Sequence, residues 1–309
     1  MHWRKKELFL HPRLMIFPLS QRGIFNFLPD VLYLKLLYWA RFSRRLDLKH
    51  PHSYNEKIQF LKIKDHNPNY PNIVDKYKVR SLVKAVIGEK YLVPIVAVYD
   101  AVEDIKWEEL PDQFVLKCTH GTHCSIVCND KSGLDIPNEK RKINEWLKHS
   151  FYCDAREWPY KEIKPRIIIE KMLVPSKTKE LLDLKIMCFD GKPKFIVLHR
   201  NITSNDNPHT LNMFTLDWKP IDVEWDCLRY SGDIECPKNL KEIICLAEKL
   251  ADGYIHVRVD FLLCDNEVYF GELTLYPGAG FKPFSTLEFD EQLGRLINLE
   301  SIYEKNGTK

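Results

Sequence analysis

Apolar residues change their spacing several times along the 309-residue chain, and each change predicts a different element. In LPDVLYLKLLYWARFSRRLDL, Leu, Tyr and Trp recur at helical spacing and Arg41, Arg44 and Arg45 crowd the end. Two readings stay open there: a helix packed on the main body, or a basic amphipathic surface that touches an anionic membrane. SYNEKIQFLKI has Ser53 three residues before Glu56, the spacing of a capping box at a helix start. NIVDKYKVRSLVKAVIG reads as a second helix, closed by Gly88 and carrying Lys76 and Arg80 four apart on one face. YLVPIVAVYD and QFVLKCTH read as strands, IPNEKRKINEWLKHSFY as a helix and PRIIIEKML as a strand. LLDLKIMCFDGKPKFIVLHR is a hairpin turning at Asp190-Gly191, followed by a polar segment at 201–239 and the helix NLKEIICLAEKLA. An α/β first half thus gives way to α+β layers in the second.

VRVDFLLCDNEVYFGELTLYPGAG carries the candidate chemistry. The period of two in a strand puts Arg258 and Asp260 on one face, and Glu272 and Thr274 on one face of the returning strand. For all four to share a face, the connecting loop needs an odd number of residues. Pairing Cys264 with Val268 around Asp265-Asn266-Glu267 is therefore expected; a two-residue turn would separate the carboxylates. Two carboxylates and a hydroxyl across neighbouring strands form a hard-oxygen site suited to Mg²⁺ shared with phosphates. A plain ion pair of Arg258 with Asp260 or Glu272 is the structural alternative. The YPGAG that follows, with Pro277, Gly278 and Gly280, predicts a tight turn where backbone approaches a ligand closely.

Other cations fit a phosphate site. Lys117 ends a strand directly before the loop His120-Gly121-Thr122, where a point charge and backbone N–H groups meet. A P-loop signature is absent, and an exposed loop lysine is the plain alternative. Lys76 and Arg80 add further positive charge, or form a solvated face. Lys185 and Arg200 stand on the two arms of the 181–200 hairpin, where cations among Ile, Met and Phe call for partners.

Composition narrows the classes. With 45% hydrophobic and 29% charged residues the chain is that of a globular protein, long enough for two or three subdomains. A formal net charge of +3 gives no argument for nucleic acid. Nine cysteines without a CxxC pair read as reduced thiols; Cys118, Cys124 and Cys128 lie close together but lack the tight pairing of a zinc site. Charges and prolines interrupt the apolar opening, so neither a signal peptide nor a membrane span is expected, and the expected location is cytoplasmic.

With these residues in hand the chain resembles the TupA-like branch of the ATP-grasp proteins, named for teichuronopeptide biosynthesis. The resemblance covers roughly residues 45 to 298. It is carried by SYNEKIQFLKI, DKYKVRSLVKAVIGEKYLVPIVAVYD, DQFVLKCTHG, REWPYKEIKPRIIIEKML, DLKIMCFDGKPKFI and VRVDFLLCDNEVYFGELTLYPGAG. It implies an α+β, ATP-grasp fold in which two α+β subdomains grip ATP. The implied order is an N-terminal helical extension (1–50), a pre-ATP-grasp α/β segment (51–113), a small lid subdomain (114–173) and a large subdomain with the metal site (174–309). It implies that Lys117 and Lys76 contact phosphates and that the loop with His120, Gly121 and Thr122 is a flap over them, although the family's flap is richer in glycine and serine. Glu170, Lys171, Met172 and Leu173 would form the adenine hinge, and Asp183 a ribose or phosphate contact. Asp260, Glu272 and Thr274 would ligate Mg²⁺, with Thr274 where related ligases carry Asn. Arg258, Lys185 and Arg200 would act on the transferring phosphoryl group, the nucleotide and the acceptor.

The chemistry this resemblance implies is amide formation by a carboxylate–amine ligase through an acyl phosphate. Its substrates would be ATP, a hexuronic acid of a bacterial surface polysaccharide and an amino acid or small amine, with no nucleic acid and with possible peripheral membrane contact through residues 1–50 at the inner face. Trp146, Trp158, Trp218 and Trp225 are candidates for stacking on sugar. A metal-dependent glycosyltransferase is a rival, but its D-x-D pair does not occur in the sequence. A phosphotransferase on the same fold is another, and it would share every nucleotide residue.

Overall fold

The computed structural model describes residues 11–176, 181–200, 210–225 and 227–305. Backbone contacts divide the chain into two compact units: residues 1–67, 150–158 and 276–309, and residues 68–149 and 159–275.

The first unit is helical. Helix Asp30–Phe42 buries Tyr33, Leu34, Leu37, Tyr38 and Ala40, a stripe at the spacing a helix requires, against Leu14, Phe17, Leu46, Ala155 and Phe281. It stops where Ser43 turns left-handed (φ 56°) and donates its N–H to the carbonyl of Trp39. Helix Tyr54–Lys64 begins with the expected capping box, Ser53 and Glu56 each satisfying the other's backbone N–H. Such a cap is worth about 1 kcal/mol.

That second helix also clasps the turn at 277–280. Gln59 Nε2 donates to the carbonyls of Ala279 (3.0 Å) and Gly280 (2.8 Å). A Cβ at Gly280, whose φ is 62°, would stand 2.5 Å from that same amide nitrogen and 2.7 Å from Ile58. The turn that sequence alone offers to a ligand is thus the close neighbour of a helix, and its carbonyls are spent on side chains of the chain itself. Lys62 completes the clasp. Its ammonium is wholly buried and gives its three protons to Gln59 Oε1 (3.0 Å), Ala155 O (2.9 Å) and Ala279 O (2.7 Å), over the ring of Phe281. Burial without a contacting carboxylate pushes its pKa down to about 7, against the opposing charge of Glu157.

The second unit holds two antiparallel sheets. The first runs β1-β4-β2-β3, with β1 Ile95–Tyr99, β2 Phe114–Cys118, β3 Ser125–Cys128 and β4 Ile167–Lys171. The second runs β10-β9-β5-β6-β7-β8, with β5 Leu182–Phe189, β6 Lys192–Arg200, β7 Thr210–Thr215, β8 Pro220–Ile221, β9 His256–Cys264 and β10 Glu267–Thr274. Helix Leu240–Ala251 packs on this sheet through Ile243, Leu246, Ala247 and Leu250. The β5–β6 hairpin turns at Asp190-Gly191 as expected, both residues at positive φ. No helix among the described residues is long and apolar enough to cross a membrane.

Three local expectations need correction. Residues 72–88 do not make one helix: Asp75 accepts the backbone N–H groups of Tyr77 (2.8 Å) and Lys78 (3.1 Å), which breaks the run into Tyr70–Val74 and Val79–Val86. Lys76 lies in the break, so it does not share a helical face with Arg80. SIVC is strand β3, too short for its alternation to register in sequence. TLNMFT, inside the segment read as polar, is strand β7 with five of its six residues buried.

The buried lysine gives a sign that can be checked. Its folded pKa lies below the unfolded value, so between pH 7 and about 10 the unfolded chain binds the extra proton and stability rises with pH. The unfolding midpoint of the wild-type chain should rise more from pH 7 to 9 than that of Lys62→Met, followed by thermal denaturation. Equal slopes would refute the assignment.

Candidate active site

The decisive local feature is how β9 meets β10. The connection is a two-residue turn: Cys264 pairs with Glu267, and Asp265 and Asn266 take φ of 52° and 69°, the type I′ geometry. The odd loop expected from sequence is therefore wrong, and an uninterrupted ladder would have thrown Glu272 to the far face. A β-bulge restores the phase. Pairing runs to Phe270↔Phe261 and resumes at Leu273↔Val259, so Gly271 and Glu272 together oppose Asp260, and Thr274 pairs with Arg258 after all. Gly271 permits this because a Cβ there would stand 3.1 Å from the carbonyl oxygen and 3.3 Å from the Cβ of Asp260.

One face of β5, β9 and β10 then carries Asp183, Lys185, Arg258, Asp260, Glu272 and Thr274. Lys185 sits directly across from Asp260. Its Nζ lies 2.7 Å from Asp260 Oδ2 and 2.7 Å from Asp183 Oδ2. Arg258 forks onto both oxygens of Asp260 (2.7 and 2.6 Å) and reaches Glu272 Oε1 at 2.9 Å; the Thr274 hydroxyl donates to that same oxygen at 2.9 Å. Both readings left open by the sequence are thus present in one place: the ion pairs exist, and they join the candidate metal ligands.

Electrostatics distinguishes the three carboxylates. Burial raises the pKa of Asp183, against the charge of Lys185. For Glu272, burial again opposes ionisation, but the charges of Lys76, Arg258 and Lys185 and the hydrogen bond from Thr274 outweigh it and hold the carboxyl at about 2. Glu272 is also the accessible member, 35% exposed at its side chain against 4% for Asp260. Lys76 joins Lys185 and Arg258 in balancing the three carboxylates, and the oxygens of Asp260, Glu272 and Thr274 are all hard donors. That set fits Mg²⁺.

A second cluster stands on the four-stranded sheet. Val115↔Glu170 and Lys117↔Ile168 are paired, so Lys117 and Glu170 share a face and meet diagonally at 2.6 Å. Arg80, whose role was legible only as spare charge, binds the other oxygen of Glu170 at 3.1 Å and the carbonyl of Val93 at 2.7 Å. The side chain of Glu170 is therefore fully engaged, and the N–H of Lys171 donates to Pro94. Met172 and Leu173 lie beyond the end of the strand, half-buried and outside the ladder.

The loop from Thr119 to Cys124 closes the β2–β3 hairpin. Lys76 donates to the carbonyl of Gly121, and its own N–H donates to the carbonyl of Thr119. His120 contacts the carbonyl of Trp146 at 3.0 Å through Nε2, and burial lowers its pKa. Thr119, His120 and Gly121 are buried, while Thr122 and His123 stand exposed at the tip. The left-handed residue of this loop is His123 (φ 58°), not the glycine. Lys76 thus binds the loop and is also the strongest charge acting on Glu272.

Arg200 is not brought to the cluster. His199 pairs with Asp183 and shares its face, so Arg200 emerges on the opposite face, stacked on Tyr230 at 4.5 Å. Of the tryptophans, Trp225 is buried, Trp218 stacks on Phe214 (4.2 Å) and Trp158 on His66 (4.7 Å). A cavity of about 890 Å³ lined by Tyr77, Lys78, Arg80, Glu89, Pro94 and Ile95, among others, borders the second cluster: Arg80 binds Glu170, Ile95 pairs with Glu170, and Pro94 accepts the N–H of Lys171.

The chain belongs to the TupA-like ATP-grasp family, whose model (TupA-like ATPgrasp) matches residues 56–298. Its fold is the ATP-grasp fold. Among solved structures it is similar to the D-alanine–D-alanine ligase from Bacillus anthracis, at 20% identity over 66% of this chain and 57% of that one, with a TM-score of 0.37. It is similar to the same enzyme complexed with ATP (16% identity, 77% of this chain and 67% of that chain, TM-score 0.42). It is also similar to the L-amino acid ligase from Bacillus licheniformis (13% identity, 85% and 58%, TM-score 0.47). The chain spans little more than half the length of the first and third of these. No curated protein matches it.

The bulge makes a test of the site's geometry. Gly271→Val should destabilise the chain by about 1–3 kcal/mol in urea denaturation, because the new side chain presses on Asp260. It should also weaken nucleotide binding measured by calorimetry. An unchanged midpoint would show that the bulge does not depend on glycine.

Proposed function

We propose that the chain is an ATP- and Mg²⁺-dependent carboxylate–amine ligase. The observation that carries this reading is the single face of β5, β9 and β10 on which Asp183, Lys185, Arg258, Asp260 and Glu272 converge, with the charge of Lys76 acting on Glu272. A cluster of that kind, with hard carboxylate oxygens beside cations that can turn to phosphate, suits a divalent cation and the phosphates it accompanies. Membership of the ATP-grasp family supports the same choice.

In this reading Asp260, Glu272 and Thr274 hold Mg²⁺, which when bound neutralises charge on the phosphate oxygens. The four-stranded sheet is the lid and the six-stranded sheet the floor. Lys117 exchanges Glu170 for a phosphate oxygen, and Lys76 keeps the Thr119–Cys124 loop over the phosphates. The backbone of Met172 and Leu173, left outside the ladder, takes the adenine edge, flanked by Glu170 and Lys171. Arg258 and Lys185 lie where negative charge accumulates during transfer.

A substrate carboxylate oxygen attacks the γ-phosphorus and ADP departs. The amine lone pair then attacks the acyl carbon, inorganic phosphate leaves, and the nitrogen loses a proton. The residues contribute position and charge rather than a nucleophile. By family resemblance the carboxylate is a hexuronic acid of a surface polysaccharide or its precursor, the amine an amino acid or small amine, and the site of action the cytoplasm, where ATP is made.

ADP release with Mg-ATP, uronic acids and a panel of amino acids, with products weighed by mass spectrometry, tests the reading. ADP that requires both partners, and an adduct of their summed mass less water, is expected. A product heavier by one phosphoryl group, formed without amine, would make the chain a phosphotransferase. Glu272→Gln should lower turnover on the order of 100-fold or more while leaving the fold intact; undiminished turnover would remove Glu272 from the mechanism.

A further inference from the structure

Ten Lys and Arg face only three Asp and Glu in residues 1–50, whereas the whole chain holds 46 against 43, so the remainder is net acidic. Within the described part of this segment, the helix Asp30–Phe42 has two unlike faces. Its buried stripe forms the core of the first unit. Its other stripe, Leu32, Lys35, Leu36 and Trp39 at helical spacing, turns outward, with Leu32 53% and Trp39 46% exposed. The turn before this helix adds Phe27, 79% exposed, and Ile24. Large apolar side chains so far out of a core, set among cations, lower their energy by entering another apolar phase.

Beside this stripe lies a cavity of about 570 Å³ in the same unit. Its wall carries Lys35, Arg45, Lys49 and Lys64 against the single acid Asp47, and its floor is apolar, with Val31, Leu46, Leu48, Phe60 and Ile63. Asp47 is already turned to the backbone N–H groups of Lys49 (2.8 Å) and His50 (2.9 Å). Lys35, Arg45 and Lys49 make no ion pair with any described residue. Lys35 belongs both to the exposed stripe and to the cavity wall.

We infer that this face of the first unit docks on an anionic lipid bilayer, with Phe27, Leu32 and Trp39 entering the interface and a lipid phosphate seated in the cavity of Lys35, Arg45 and Lys49. The combination decides the occupant: an apolar stripe alone would suit any hydrophobic partner, and a basic cavity alone any phosphate. Apolar and aromatic side chains beside an amphipathic, cation-walled cavity match a headgroup continuous with its acyl chains. The inference rests on the first unit alone and stands whether or not the chain is a ligase.

Sedimentation of the full chain with vesicles of phosphatidylcholine alone, and of phosphatidylcholine mixed with phosphatidylglycerol, tests it. Binding is expected only with phosphatidylglycerol, and it should weaken as salt rises. Each interfacial cation contributes about fivefold, so the combined variant Lys35→Glu, Arg45→Glu and Lys49→Glu, which removes three cations and adds three anions, should bind at least ~100-fold more weakly. A separate variant, Phe27→Ser with Leu32→Ser, should also lose binding, which free phosphate held in the cavity would not explain. Circular dichroism of each variant controls for folding, and all five sites are exposed or line an open cavity. A wild-type chain that stays in the supernatant, equal binding to both vesicles, or full binding by the charge-reversal variant would each overturn the inference; the first would leave the face to a protein partner.

Discussion

Arg258 holds the site together. Its guanidinium takes both oxygens of Asp260 and one of Glu272, while Lys185 draws Asp260 and Asp183 together from the neighbouring strand. Five charges are thereby kept on one side of a sheet whose other side is packed with Leu184, Ile186, Val257, Val259 and Phe261. Each is tolerated because its neighbours are charged oppositely; removing Arg258 or Lys185 would leave Asp260 and Asp183 uncompensated in a poorly solvated place. Glu272 is the accessible and firmly ionised member, the carboxylate of this face most open to solvent.

The four-stranded sheet repeats the logic. Two cations, Lys117 and Arg80, converge on the single carboxylate of Glu170. Positive charge is in excess there, and Lys76 ties the two clusters together by binding the loop at Gly121 and depressing the pKa of Glu272. The first unit solves a different problem: a buried ammonium, Lys62, saturates carbonyls of two distant segments, and the cost of burying it appears as a depressed pKa rather than as a counter-charge.

Much of the fold was legible because strands and caps have short-range signatures. The capping box at Ser53, the Asp190-Gly191 turn, the helix at 240–251 and the alternation in β9 and β10 were each visible within a dozen residues. Family membership was legible from the same stretches, joined over most of the chain. What failed did so for local reasons that sequence spacing conceals. Asp75 interrupts a run with good helical periodicity by offering its carboxylate to the backbone. β3 has four residues, and β7 lies among polar neighbours that mask its burial. Arg80 looked like surface charge because its partner, Glu170, is ninety positions away.

The bulge at Gly271 draws the line between the two kinds of information. The sequence by itself determined that Arg258, Asp260, Glu272 and Thr274 belong to two adjacent strands and that their charges need partners, since alternation and the cost of desolvation act within a few residues. It could not determine how the strands register, because a two-residue turn and one extra bulged residue shift the phase equally and cancel. Only tertiary structure decided that cancellation, at a bulge where a Cβ on residue 271 would stand 3.1 Å from the carbonyl oxygen of Asp260. It likewise decided that Arg200 leaves the cluster while Lys185 enters it, since the face a strand residue occupies depends on the ladder it joins rather than on its own spacing.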